Sequence, residues 1–218
     1  MPSLQHIINF VQADMNEVCT AHDFAHIQRV VRNAEKIIAT ENNPNINKFV
    51  ALASAYLHEY FDEKFWNKDQ LETRAVALDI FLAEIGITPD DHEHIIHIIK
   101  HVWYGKSLTR SNDFPYTIEF QIVEDADRLD AIGAIAIART FAYGGKKWRS
   151  IYDPNIPIKK IENDEQYRDG NSPSLNHFWE KLLLLKDLMH TETAKKIAQS
   201  RHDYMNNFVN QFLKEWNE

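Results

Sequence analysis

The sequence predicts a single-domain all-α protein, and three observations support this prediction. In nearly every segment, apolar residues recur three and four positions apart, the spacing that places them on one face of a helix. No turn dipeptide typical of a hairpin lies between segments of alternating polarity. The 218 residues are enough for one domain that buries roughly 70% of its unfolded surface. We therefore expect a single helical domain spanning residues 1–218.

The predicted helices can be followed in order along the chain. The segment 47–59 is apolar nearly all round, which is typical of a central helix, whereas most others carry one apolar stripe. Gly86 is typical of a helix end, and Thr88 followed by Pro89 is typical of a helix start. The segments with helical character are 4–19, 26–38, 47–59, 69–86, 88–102, 117–145, 172–190 and 191–218.

The second half of the chain contains one long segment without a clear period. The pattern of 117–145 predicts one long or broken helix that stops at Gly144-Gly145. Ser172-Pro173 is a cap followed by proline, so another helix is expected to begin there. We expect a long loop near residues 144–171 between them. Loops of this length in a compact domain are more often functional than not, so we expect it to border the active site.

Charge and cysteine content narrow the classes of partner and the location. The formal net charge of -8 argues against a nucleic-acid polymer or a membrane, because both call for a basic face. A small anionic substrate remains compatible, since a few local cations or a metal ion can reverse the field. The single cysteine, Cys19, excludes an internal disulfide and favours the cytoplasm, as does an N-terminus too polar for a signal peptide. The oligomeric state stays open.

Three of the apolar helices carry imidazoles and carboxylates that a buried helix would not normally contain. Such groups are costly to bury unless they are paired or bind a metal ion. A divalent cation held between the helices would give the three clusters a reason to meet, and this donor set suits Mn, Fe, Co, Ni or Zn. The clusters are His22, Asp23 and His26; His58, Glu59 and Asp62; and Glu124, Asp125, Asp127 and Asp130.

The order and spacing of these residues resemble the HD superfamily of metal-dependent phosphohydrolases. The strings "HDFAHIQRV", "DADRLDAIGAIAIARTFAYGG" and "IYDP" are similar to small stand-alone bacterial HD-domain hydrolases, and the resemblance spans nearly the whole chain. It implies an HD-domain helical bundle. It also implies hydrolysis of a phosphate ester or phosphate anhydride, with a nucleotide as the substrate. It also implies a divalent metal ion (Mn, Fe, Co, Ni, Zn or Mg) held by His26, His58, Glu59 and Asp127.

One position departs from the family pattern, because Glu59 stands where the family has aspartate. A glutamate is one methylene longer, so it can coordinate after a small shift of the ion or miss the ion. An alternative is therefore a catalytically weakened module that binds or senses a nucleotide. A third reading is a helical interaction protein in which the clusters are surface charge.

The resemblance also implies catalytic groups next to the second ligand pair. An acid three residues after that pair assists the attacking water in the family, and Asp62 occupies this place. His58 and Asp62 are four residues apart, so they share a face if the helix continues that far. We expect Asp62 to act as general base, with Glu63 as the fallback. Lys64 is expected to reach phosphate as a point charge.

Cations and aromatic rings near the predicted loop are candidates for substrate binding. Developing negative charge on phosphate must be neutralised, and arginine does this with a planar fork. Tyr143, Trp148 and Tyr152 offer faces on which a nucleobase can stack, which favours a nucleotide substrate. The predicted substrate-binding residues are Arg139, Lys146, Lys147, Arg149 and Tyr152.

Several of the polar residues have structural interpretations. Asp23 either caps the second helix or orients His26, and Asp130 is a further candidate for a supporting role. Glu124 and Asp125 are predicted to be surface or capping acids. His97 and His101 have a spacing that can chelate zinc, but no carboxylate stands at a matching spacing.

Overall fold

A computed structural model describes residues 2–15, 24–62, 66–169 and 172–218. These ranges contain helices and no strand, so the all-α prediction is confirmed. None of the described helices is long and apolar enough to cross a bilayer. The helices are α1 (Leu4–Met15), α2 (Phe24–Thr40), α3 (Lys48–Leu57), α4 (Lys68–Glu84), α5 (Pro89–His101), α6 (Tyr104–Ser107), α7 (Ile118–Asp130), α8 (Ala134–Lys146), α9 (Asp164–Asp169), α10 (Asn176–Glu180) and α11 (Glu192–Asn217), with a 3₁₀-helix (Leu182–Leu188) before α11.

The central helix of the bundle is α3, as its sequence predicted. It packs against α1, α2, α5 and α7. Its N-terminus is capped by Asn47, whose side chain accepts a hydrogen bond from the backbone N–H of Val50. Small residues such as Ala51 and Ala55 are fully buried on it, which lets the neighbouring helices approach closely.

The segment 117–145 forms two helices, and the break between them is at a glycine. α7 ends at Asp130, and Gly133 adopts φ = +91°, a left-handed conformation that residues with a β-carbon rarely take. α8 then continues through the predicted stop at Gly144-Gly145 and ends at Lys146. The predicted stop was therefore placed slightly too early.

The predicted loop is shorter than expected and is held in place by backbone hydrogen bonds. α8 and α9 occupy its two ends, which leaves 147–163 irregular. The amides of Ser174 and Leu175 donate to the carbonyls of Ser150 and Ile151, both at 2.9 Å. Ser174 and Leu175 form a turn after Pro173, so α10 begins at Asn176 rather than directly after the predicted cap at Ser172.

Two acids of α7 that were predicted as surface or capping groups are in fact buried. Glu124 forms ion pairs with Arg110 at 2.6 Å and Arg128 at 3.0 Å, and its other oxygen lies 2.6 Å from His190 Nε2. Burial alone would raise the pKa of Glu124, but the contact with His190 and the charges of both arginines outweigh it and lower the pKa. Arg128 thus pairs with a structural acid of its own helix and does not contribute to the cluster of predicted ligands.

Asp125 is fully buried and anchors the start of α11 to α7. Its carboxylate accepts hydrogen bonds from the backbone N–H of His190 at 2.9 Å and of Thr191 at 2.7 Å. The Thr191 hydroxyl donates to the same carboxylate at 2.8 Å. The N-cap of α11 is Thr191, and Asp125 holds this cap in place from a position 66 residues earlier in the chain.

Asp125→Ala is expected to lower the free energy of unfolding by about 3 kcal/mol, because it leaves several buried donors without an acceptor. Urea unfolding followed by circular dichroism measures the change. Glu192→Ala is the control. Glu192 is an exposed acid in the first turn of α11, the helix that Asp125 anchors, so this substitution should change the free energy of unfolding little. Equal losses in the two variants would show that Asp125 is not the anchor.

Candidate metal centre

The packing of α2, α3 and α7 brings the predicted ligands together. His26 lies on α2, His58 and Glu59 follow the end of α3, and Asp127 lies on α7. The two imidazole Nε2 atoms are 3.2 Å apart, and Glu59 Oε1 lies 3.2 Å from His26 Nε2. Asp127 Oδ1 lies 3.6 Å from His26 Nε2 and 3.8 Å from His58 Nε2. The four ligand atoms therefore face one small volume.

The burial of these side chains is graded. His26 and His58 are 2% and 1% exposed, and Glu59 is nearly buried, whereas Asp127 is 28% exposed. One ligand atom from each of His26, His58 and Glu59 lies within 4.8 Å of the other two. The inner wall of the cluster is thus closed by protein, and the Asp127 side opens outward.

Both imidazoles are oriented by contacts at their Nδ1 atoms. His58 Nδ1 lies 2.8 Å from the carbonyl of Ala55, and His26 Nδ1 lies 2.7 Å from Asp130 Oδ2. Because a carbonyl and an ionised carboxylate only accept, each Nδ1 carries the proton and each Nε2 presents a lone pair in the neutral ring. Two lone pairs 3.2 Å apart repel each other unless a cation or a proton lies between them.

The charge of the cluster favours a cation at this point. Burial disfavours a charged His26, but Glu59, Asp130 and Asp127 outweigh burial and raise the pKa of His26 to about 9. Two imidazole nitrogens with two carboxylates form a donor set that suits Mn, Fe, Co, Ni or Zn. The residues present therefore fit a divalent metal ion.

Asp130 is the support behind His26. Its carboxylate receives Arg29 Nε at 2.7 Å and Arg139 Nη1 at 2.8 Å, in addition to its contact with His26. Burial alone would raise its pKa, but His26 and Arg29 outweigh this and hold the pKa of Asp130 far below its usual range. Asp130 therefore orients His26, the supporting role for which the sequence offered Asp130 and Asp23 as candidates. Asp23 lies outside the described residues.

Asp62 reaches the cluster by a turn and not by a helix. α3 ends at Leu57, and two short backbone hydrogen bonds follow, from Tyr60 N to Leu57 O and from Asp62 N to Glu59 O. The condition under which His58 and Asp62 would share a helix face is therefore not met, because the chain forms tight turns after His58. Asp62 is nevertheless nearly buried and lines the cavity described below. The other two predicted catalytic residues, Glu63 and Lys64, lie outside the described residues.

The cluster forms part of the wall of a cavity of about 480 Å³, a size that suits a small-molecule ligand. Two of the predicted substrate-binding residues, Arg139 and Arg149, line it. Lys146 and Lys147 are exposed and lie outside the lining. Tyr152 packs against Trp216 and Phe212, with ring centroids 5.2 and 6.2 Å away, and its ring does not face the cavity.

Several lining residues were missed by sequence reasoning. Lys181 donates to the Tyr167 hydroxyl at 2.7 Å, and its ammonium lies 4.7 Å from the ring centres of Tyr104 and Tyr167. Lys159 is a further cation of the lining. No local signal marks these residues, because Lys181 stands in an ordinary amphipathic pattern and meets the two tyrosines only through long-range packing.

Two glycines allow the wall of the cavity to close. A β-carbon at Gly105 would overlap the carboxylate of Asp164, and one at Gly144 would overlap the hydroxyl of Ser174. Both of these polar side chains line the cavity. The glycines therefore let α9 and the segment before α10 lie directly against α6 and α8.

His97 and His101, the other spaced pair, have a different environment. The His101 Nδ1–H donates to the carbonyl of His97 at 2.7 Å, and both rings pack against Phe114. Burial and the neighbouring His101 lower the pKa of His97, which is the expected result for an imidazole in an apolar cluster. This pair lies outside the lining of the cavity.

Comparison with known proteins identifies the fold. No family model matches the chain. A solved protein from Lactobacillus plantarum is 35% identical, with a TM-score of 0.85 and coverage of 100% of this chain and 99% of its own. An HD-superfamily hydrolase from Bacillus thuringiensis is 39% identical, with a TM-score of 0.72 and coverage of 98% and 96%.

A third relative is YpgQ of Bacillus subtilis, 32% identical over 211 residues, which are 97% of this chain and 92% of YpgQ. Its crystal structure in complex with ADP has a TM-score of 0.72 and is 31% identical over 98% of this chain and 97% of YpgQ. Fold and similarity together define the class as a stand-alone, all-α hydrolase fold. The chain belongs to the HD superfamily of hydrolases, which confirms the predicted family.

Asp130→Asn is expected to weaken Mn²⁺ binding about 10- to 100-fold, because the amide no longer fixes the His26 tautomer or attracts the two arginines as strongly. Competition with a metal-sensitive dye measures the affinity. Asp153→Asn, in the irregular segment, is the matched control and should bind Mn²⁺ like the parent. Unchanged affinity in Asp130→Asn would contradict the role assigned to Asp130.

Proposed function

We propose that the protein is a metal-dependent phosphohydrolase that acts on nucleotides. The observation that supports this most directly is the meeting of His26, His58, Glu59 and Asp127 at a cavity that also contains cationic side chains. Acids that hold a metal ion and cations that hold phosphate are both needed for phosphoryl chemistry, and both line this cavity. The ADP complex of YpgQ supports a nucleotide as the ligand.

The ion would be held by His26, His58, Glu59 and Asp127. When bound there, it would lower the pKa of a water molecule toward ~7 and draw electron density from a phosphoryl oxygen. The other steps belong to side chains of the cavity. Glu59 belongs to this set because its Oε1 already faces both imidazoles, at 3.2 and 3.9 Å.

Asp62 is the group that we assign to the attacking water. It lies three residues after Glu59, is nearly buried and lines the same cavity as His58. As a carboxylate it orients a water molecule and accepts its proton as the oxygen attacks phosphorus. The bond from phosphorus to the leaving oxygen breaks in the same step, and the cations that line the cavity offset the negative charge that develops.

Arg139 and Arg149 are assigned to the phosphate groups. Arg139 lines the cavity while its Nη1 is engaged by Asp130, so its guanidinium is held in place before the substrate arrives. Arg149 approaches from the irregular segment, with its guanidinium 5.3 Å from the ring of Tyr143. Lys159 and Lys181 add positive charge along the same cavity. Lys146, Lys147 and Tyr152 are left out of this assignment because of their positions.

His58→Ala is expected to abolish both metal binding and turnover, because it removes a buried ligand whose Nε2 faces the centre of the cluster. Elemental analysis after loading with Mn²⁺ or Co²⁺ measures the first, and phosphate release from a panel of nucleotides measures the second. His92→Ala serves as the control, since His92 is partly exposed and pairs with Asp79. Full activity in His58→Ala would exclude this site.

Asp62→Asn is expected to lower kcat by about 10²- to 10⁴-fold, because the amide cannot accept the proton of the attacking water. Metal content and KM should stay close to those of the parent, which separates a catalytic role from a structural one. The exposed acid Asp79 provides the matched control, Asp79→Asn. Loss of metal together with activity would instead make Asp62 a ligand.

The weakened binding module remains the second candidate, because Glu59 replaces the aspartate of the family pattern. Glu59→Asp distinguishes it from the hydrolase. If the parent protein hydrolyses nucleotides and Glu59→Asp does so no faster, the result supports the hydrolase. An inert parent that still binds ADP, with activity appearing in Glu59→Asp, supports the module.

A further inference from the structure

Trp148 combines two features that each cost stability. Its φ of +56° is in the left-handed region, which bulky side chains rarely adopt, and its side chain is 95% exposed. Among the residues that the structure describes, Asn42 is the only other non-glycine residue with positive φ, and asparagine tolerates this conformation. An exposed tryptophan in it calls for a functional reason.

The end of α8 shows why the strain arises. Arg149 N donates to Gly144 O at 2.9 Å, and Trp148 N donates to Gly145 O at 3.2 Å. This is the Schellman pattern of a helix end, and Trp148 occupies the position at which such ends usually have glycine. Glycine would form the same turn without strain, so the helix end does not account for the indole.

The position of Trp148 links it to the cavity. Its neighbour Arg149 lines the cavity, and the guanidinium of Arg149 lies over the ring of Tyr143, which is also part of the lining. Consecutive Cα atoms are only ~3.8 Å apart, so the backbone of Trp148 lies directly beside a residue of the cavity wall. A ring that is 95% exposed is not held elsewhere by packing.

We propose that Trp148 is a specificity-determining residue that stacks on the nucleobase of the bound nucleotide. The inference rests on the proposed function and names the part of the substrate that the metal cluster does not reach. Arg149 holds phosphate and the adjacent indole covers the base, so one short segment recognises both parts of a nucleotide. Every base has a flat aromatic face, so this contact selects nucleotides over bare phosphates without choosing among bases.

The test compares the affinities of ADP and inorganic pyrophosphate for the full chain in the presence of Mn²⁺, by titration calorimetry. Trp148→Gly should raise the Kd of ADP by about 5- to 150-fold, the fold-change that corresponds to loss of one base–aromatic stack. The Kd of pyrophosphate should not change, and Tm should stay the same or rise because the strain is relieved. Trp148→Phe should retain most of the ADP affinity.

Asn42→Gly is the matched control, because it removes the other positive φ of a non-glycine residue and should leave both affinities unchanged. Equal ADP affinity in the parent and Trp148→Gly overturns the inference, as does a parent that binds no ADP. A changed oligomeric state of Trp148→Gly with unchanged ADP affinity also overturns it, and assigns the indole to a contact between copies. If no nucleotide is hydrolysed but ADP binding depends on Trp148, the inference holds and the hydrolase proposal fails.

Discussion

The geometry of the candidate site depends on one buried carboxylate, that of Asp130. It joins three helices, because it lies on α7, contacts His26 of α2 and receives guanidinium groups from Arg29 of α2 and Arg139 of α8. Removing a carboxylate from water is costly, and here several charged hydrogen bonds offset that cost. Its low pKa keeps it ionised, so the proton of His26 stays on Nδ1 and Nε2 faces the other ligands.

α7 serves both the site and the framework of the fold. On one side it presents Asp127 and Asp130 to α2 and the cavity, and on the other it presents Glu124 and Asp125 to the segment before α11. Each of these four acids has a cationic, imidazole or backbone N–H group beside it, which makes so many carboxylates on one helix tolerable. The position of α7 is therefore fixed from two sides, and the ligand that it carries is held with it.

Local patterns in the sequence were sufficient to predict the all-α fold. The order of the motifs was sufficient to predict that α2, α3 and α7 come together. The apolar stripes of α2 and α5 are local signals, and the order of His26, His58 and Asp127 identified the family before any contact was known. The link from Arg29 to Asp130 spans 101 residues, and no local pattern encodes it. The sequence gives one indirect sign of the role of Asp130. It stands three residues after Asp127, a spacing that places both side chains on one face of α7.

The helix bounds and the position of Tyr152 depend on the path of irregular backbone, which the sequence pattern does not specify. Tyr152 is a predicted substrate-binding residue, and its ring packs against Phe212 and Trp216 of α11. The observed helix bounds differ from the predicted ones where backbone amides donate to distant carbonyls, as the amides of Ser174 and Leu175 do. Neither the direction of such a segment nor its distant partners can be read from periodicity.

The two glycines at the cavity wall have a consequence for how relatives of this protein can diverge. Gly105 and Gly144 each stand where a single added methyl group would displace a polar side chain of the lining. Neither residue belongs to the set of metal ligands. Exchange of either glycine for alanine would therefore reshape the space offered to a ligand while the ligands themselves stay intact. Substitutions at these two positions can therefore change which molecules the cavity accepts while the cluster of metal ligands stays unchanged.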